Sequence, residues 1–222
     1  MRAGESDNAL RLYFFGGAHM KSRIAGVLAT LAWALLLIGC APTDSLFPLY
    51  KADEAVFDNH LLGTWQPVIT DANARDKDQR WIFSHSEGQQ YYDFQWSAAG
   101  AKGGFVAKAR LVRLGDNLFI DFEGDTDKLE DPPRADVLVP FPIVPSHMIG
   151  RVWLEKGLLQ IHFLHDDWVK KQIEAGTFSL AHVDVGSHQI LAAQTDDLRK
   201  FMQADADDRE ALSSNFQFVR AK

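Results

Sequence analysis

From residue 61 to residue 220, apolar and polar positions alternate in run after run. Tyr92, Phe94 and Trp96 alternate with Tyr91, Asp93 and Gln95. Phe105, Ala107, Ala109 and Leu111 alternate with Val106, Lys108, Arg110 and Val112, and Leu118, Ile120 and Phe122 with Phe119, Asp121 and Glu123. Successive side chains of a strand point to opposite faces, so a period of two predicts half-buried antiparallel strands. Gly115-Asp116-Asn117 separates residues 111–114 from 118–123, and Lys156-Gly157 separates 149–155 from 158–164. Both breaks are rich in residues that tolerate positive φ, and each predicts a tight hairpin. With residues 61–66, 80–84, 178–184, 189–193 and 216–220, the chain carries about ten short strands, which favours a barrel or sandwich over an open sheet.

Two stretches change period. Trp168, Val169, Gln172 and Ile173 share a helical face, with Asp166 as the predicted cap and Gly176 as the stop. Leu198, Phe201 and Met202 share another, with Thr195 as the predicted cap. Asp196 and Asp197 fall in that first turn, where the helix dipole favours negative charge. Residues 131–146 hold five prolines among apolar residues, which predicts a loop that is either a lid or binding loop or, the favoured reading, a plug lying flat over one end of the core. The fold class is therefore mainly β, with two short helices.

The N-terminal region reads differently. Lys21 and Arg23 precede an uncharged apolar run from residue 24 to 38, then Gly39, Cys40, Ala41 and Pro42. A basic start, an apolar stretch and a small residue before a cut describe a secretory signal. The run is shorter than the about 20 residues that a spanning helix needs. Leu37-Ile38-Gly39-Cys40 resembles the lipobox of bacterial lipoproteins. That resemblance implies cleavage before Cys40 and acylation of its thiol and new amine. On this reading residues 1–19 are an upstream extension, 20–39 a signal peptide, 40–60 a lipidated tether and lead-in, and 61–222 one β domain. Cys40 is the sole cysteine, so no internal disulfide is available. Without residues 1–40 the chain keeps 19 basic and 28 acidic residues, a net charge of −9. Such a body disfavours nucleic acid as a partner. It also suits a domain held off an anionic surface by a tether.

Leu61-Leu62-Gly63-Thr64-Trp65 resembles the Gly-x-Trp signature of lipocalins. In that superfamily the tryptophan seals one end of an up-and-down barrel, and an arginine of the last strand often packs over it. The resemblance implies that Arg220, ending an alternating strand, lies over Trp65 as a cation–π closure. Pro48-Leu49-Tyr50, Leu62 to Trp65, Leu114-Gly115-Asp116 and His165-Asp166-Asp167-Trp168 are also similar to a group of uncharacterised bacterial lipoproteins. That likeness implies a membrane-anchored, lipocalin-like domain and carries no activity. An alanine after the modified cysteine points, by analogy with lipoprotein sorting, to the periplasmic side of the outer membrane.

Candidate chemistry is sparse. His162, His165 and Asp166 are the metal-ligand candidates, although strand residues three apart face opposite ways. Asp121 and Glu123 share one strand face at a spacing that suits paired carboxylates, but an outward acidic strand predicts that they are solvated. There is no Gly-x-Ser-x-Gly elbow and no phosphate loop. The sequence calls for no cofactor and assigns no catalytic residue. It predicts a non-catalytic envelope lipoprotein that binds a small apolar ligand or an envelope protein, with a metal-dependent enzyme as the alternative.

Overall fold

The computed structural model describes residues 42–69, 75–97, 105–125, 146–186 and 188–221. The expected signal segment, Cys40 and most of the proline-rich loop lie outside these residues. Along the chain come β1 (Asp44–Ser45), β2 (Ala55–Val56), β3 (Gly63–Pro67), β4 (Arg80–Ser84), β5 (Tyr92–Ser97), β6 (Phe105–Leu114), β7 (Asn117–Gly124), β8 (His147–Glu155) and β9 (Leu158–Phe163). Helix α1 (Asp166–Glu174), β10 (His182–Val185), β11 (His188–Leu191), α2 (Thr195–Ala204) and β12 (Ser214–Arg220) follow.

Eight of these strands close on themselves. β3 to β9 pair antiparallel in chain order, and β12 lies between β9 and β3 to complete the ring. This is an up-and-down antiparallel barrel, lipocalin-like in architecture, with two helices packed outside. The two hairpin turns have left-handed glycines where the alternation breaks, Gly115 at φ 58° and Gly157 at φ 83°.

The inward positions are those the alternation marked, and aromatic rings occupy them. Phe122 on β7 sits 4.8 Å from Phe94, 5.8 Å from Trp81, 6.2 Å from Phe83 and 6.0 Å from Phe163, centroid to centroid. Those partners come from β5, β4 and β9, so the rings meet across the barrel. Gly150 on β8 shows how full the space is: a Cβ there would lie 2.7 Å from Ile161 and 2.9 Å from Phe163. Each large side chain withdrawn from water in this way contributes about 1.5–3 kcal/mol.

A second apolar layer lies on the outer wall. Phe119, Ile149 and Val112 face outward from β7, β8 and β6, and meet Leu49, Val169 of α1, and Leu198 and Met202 of α2. The lead-in is part of this layer. β1 pairs antiparallel with β8 and parallel with β11, β2 pairs with β6, and Leu49 is fully buried. The span read as tether and lead-in is thus built into the sheet from Asp44 onward. The alternation could not reveal this, because a two-residue strand has no period to detect.

Three local expectations shift. Asp166 and Thr195 are first helical residues, with His165 and Gln194 at the cap positions. Their side chains serve tertiary contacts instead: Thr195 Oγ1 donates to the Pro48 carbonyl at 2.8 Å, and Asp166 accepts from the β11 strand. Asp121 is not solvated. It is fully buried beneath the lead-in, accepting from the Leu49 amide at 2.7 Å and bonding His147 Nδ1 at 2.8 Å.

Candidate binding cleft on the barrel wall

On the outer face of β8, β9 and β12, antiparallel register sets two polar rows side by side. Arg151 stands opposite His162, and His162 opposite Asn215. Trp153 stands opposite Gln160, and Gln160 opposite Gln217. Directly opposed residues have Cβ atoms about 4.5–5.5 Å apart, so each row forms one continuous polar strip. The connection from α2 to β12 overhangs both rows and encloses a cleft of about 520 Å³.

Arg151 anchors the cleft and is itself buried, 9% exposed. Its guanidinium donates to the Ala206 carbonyl and the Asp207 carboxylate, and at 2.7 Å to Asn117 Oδ1. It also lies 4.5 Å from the Trp153 ring centroid. A buried cation needs such partners to offset desolvation. One donor is left over: Arg151 Nε has no partner among the described residues.

His162 is the second unpaired group. Its ring lies 4.6 Å from Trp153, and its buried Nε2 has no partner among the described residues. Burial pushes the imidazole below its usual range, the Arg151 and Arg209 charges act in the same sense, and a backbone hydrogen bond at Leu212 opposes them. Behind the cleft lining, Arg151 Nε and His162 Nε2 are thus two buried polar atoms without partners among the described residues. Unpaired buried polar atoms are costly to a fold.

The other candidates are elsewhere. Asp166 bonds His188 Nδ1 at 3.2 Å and the Gln189 amide at 3.4 Å, while His165 precedes α1 and bridges Pro42. Burial and the Asp166 charge hold the neighbouring Asp44 carboxyl above its usual range, against the pull of His188. Among the described residues no three His, Cys, Asp or Glu side chains are grouped to hold a metal. His162 and Asp166 thus join different neighbourhoods, on the cleft and beside β11.

Trp65 and Arg220 face each other in the β3–β12 register, with the guanidinium carbon 4.6 Å from the Trp65 ring centroid. Arg220 also donates to the carbonyls of Leu62 at 2.6 Å and His60 at 2.7 Å, and Trp65 Nε1 to that of Leu61 at 2.8 Å. Gly63 gives the room: its φ is 118°, and a Cβ would lie 2.5 Å from Arg220 Nη1. The contact ties residues 60–62 to the paired β3 and β12 strands. On the same segment Tyr92 takes the Asp58 amide at 2.6 Å, and burial pushes its phenol up to about 12.

Cys40, the expected lipidation site, and the proline-rich loop fall outside the described residues. Sequence reasoning reached His162 but missed Arg151, Trp153 and Asn215. Their only common signal was an outward position on three strands whose adjacency the pattern does not specify. The chain matches no family model, no curated protein and no solved structure.

Proposed function

We propose that this chain is a lipid-anchored envelope lipoprotein whose barrel is a scaffold rather than a container, and whose outer wall receives another envelope protein. The carrying observation is Phe122, surrounded at 4.8–6.2 Å by rings from β4, β5 and β9, which leaves the axis to aromatic side chains. The Arg151–His162 cleft supports the second half. Arg151, Trp153, Gln160, His162 and Asn215 line it together, and an arginine over a tryptophan is typical of an interface anchor. The anchor is the acyl group on Cys40, and the location is the periplasmic side of the outer membrane. An apolar small molecule in the barrel and a metal-dependent enzyme built on His162 and His165 have less support. The first competes with the aromatic fill, and for the second no three His, Cys, Asp or Glu side chains are grouped among the described residues.

A photoreactive residue at Gln160, carried by the native lipoprotein in its own envelope, tests the reading. The expected result is one discrete adduct with a second envelope protein, absent when the same residue is placed at exposed Glu87. Equal adducts at both positions, or none, overturn it. Labelled palmitate retained by Cys40→Ser overturns the anchor separately.

A further inference from the structure

The described fold starts very close to Cys40. Pro42 already bridges His165, the Thr43 amide donates to the Leu164 carbonyl at 2.9 Å, and Asp44 is in the sheet. Thr43 and Ser45 are buried. Two peptide steps separate Pro42 from Cys40, and consecutive Cα atoms are about 3.8 Å apart, so those two Cα atoms lie within about 7.6 Å of each other. An acyl group on Cys40 therefore has no tether behind it.

The register shows which wall the chain leaves from. β1 runs parallel to β11, with Asp44 opposite Ile190 and Ser45 opposite Leu191. Stepping back from Asp44 toward Pro42 thus runs beside Gln189 and His188, toward the β10–β11 hairpin turn. His188 pairs there with Val185, and Ile190 with Val183. Asp166 fixes the hairpin to the exit point through His188 and the Gln189 amide. Val183 and Val185 lie on one face of β10 and are 48% and 51% exposed. Among the described residues β10 pairs only with β11.

We propose that this wall rests directly on the bilayer, with Pro42, the start of α1 and the β10–β11 hairpin at the headgroups and Val183 and Val185 against lipid. The proposal depends on the acylation of Cys40 put forward above. Asp44, opposite Ile190, and Asp166, bonded to His188, share the wall, so the surface it fits is zwitterionic rather than anionic. β4 stands four places from β8 in the ring of eight, so the exposed β4–β5 turn at Glu87 is on the far side.

The full lipoprotein, isolated with its acyl groups and placed in phosphatidylcholine vesicles carrying a headgroup quencher, gives the test. Cys40 is the only native cysteine and its thiol is taken by lipid, so Val185→Cys or Glu87→Cys supplies a single labelling site. The fluorophore at 185 is expected to be quenched several-fold more strongly than the one at 87. Equal quenching, with the protein still floating with the vesicles, overturns the seating and leaves the anchor intact. Protein that does not float overturns both. A Gly-Ser insert of about 20 residues between Ala41 and Pro42 spans about 25 Å and is expected to abolish the difference without loss of flotation. A difference that survives the insert overturns the short link as its cause.

Discussion

The inner core and the outer layer of this barrel are held by different physics. Inside, rings from several strands meet around Phe122, and stability comes from apolar area and packing density. Outside, Leu49, Phe119 and Leu198 bury comparable side chains, but the lead-in over them is secured by hydrogen bonds and charges. Asp121 holds the Leu49 amide, Arg199 donates to the Leu49 carbonyl at 3.0 Å, and Lys51 pairs with Asp196 at 2.6 Å. Tyr50 lies under Arg110, 4.2 Å from ring centroid to guanidinium carbon, and Arg110 pairs with Glu123 at 2.7 Å. An apolar interior loses stability by volume. A strapped exterior loses it by single polar atoms, and locally.

Four substitutions sharpen that contrast. Phe122→Ala is expected to cost about 3–5 kcal/mol in chemical denaturation, because its neighbours on several strands cannot all collapse into the space. Asp121→Ala is expected to cost about 1–3 kcal/mol, for the orphaned Leu49 amide and His147 partner. Its distinguishing mark is faster hydrogen exchange at residues 45–50 while the β6–β7 amides stay protected. Global loss of protection would contradict a local strap. Arg220→Ala is expected to cost about 1–2 kcal/mol, from the ring contact and two carbonyl bonds. Arg220→Lys should recover only part, since an ammonium cannot bridge two carbonyls with the same fork.

The smallest effect is a pH dependence. Folding depresses the His162 pKa, chiefly by burial, so the unfolded chain binds the proton more readily. This contribution is fully present above the unfolded value near 6.5 and is lost as pH falls from there toward the depressed folded value. His162→Gln should flatten the stability–pH curve in that window, which denaturation midpoints between pH 7 and 5 would show. An unchanged slope would place the titrating group elsewhere.

The inner core was far more legible in the sequence than the outer layer. Alternation through Phe94, Ala107 and Phe122 marks inward positions because the pleat makes face and parity equivalent. Parity does not say what covers the other face. Asp121 therefore looked solvated, although a lead-in from far along the chain lies over it. β1 and β2 are strands by pairing alone, and a period needs more than two residues to show. Thr195 and Asp166 carried cap-like side chains one residue past the caps, because the lead-in and β11 offered them partners. The cleft was hardest to see. Arg151, His162 and Asn215 become neighbours only when β12 closes the ring beside β9.

The solidity of the barrel is most directly tested by titrating the protein and its Phe122→Ala variant with benzene and with a long-chain fatty acid. NMR shifts of the Phe94 and Phe163 rings are the readout. A filled barrel gives no saturable shift in the unaltered protein and a saturable benzene shift in the variant, whose cavity the missing ring creates. Stoichiometric fatty-acid binding to the unaltered protein, with those rings moving, would contradict it.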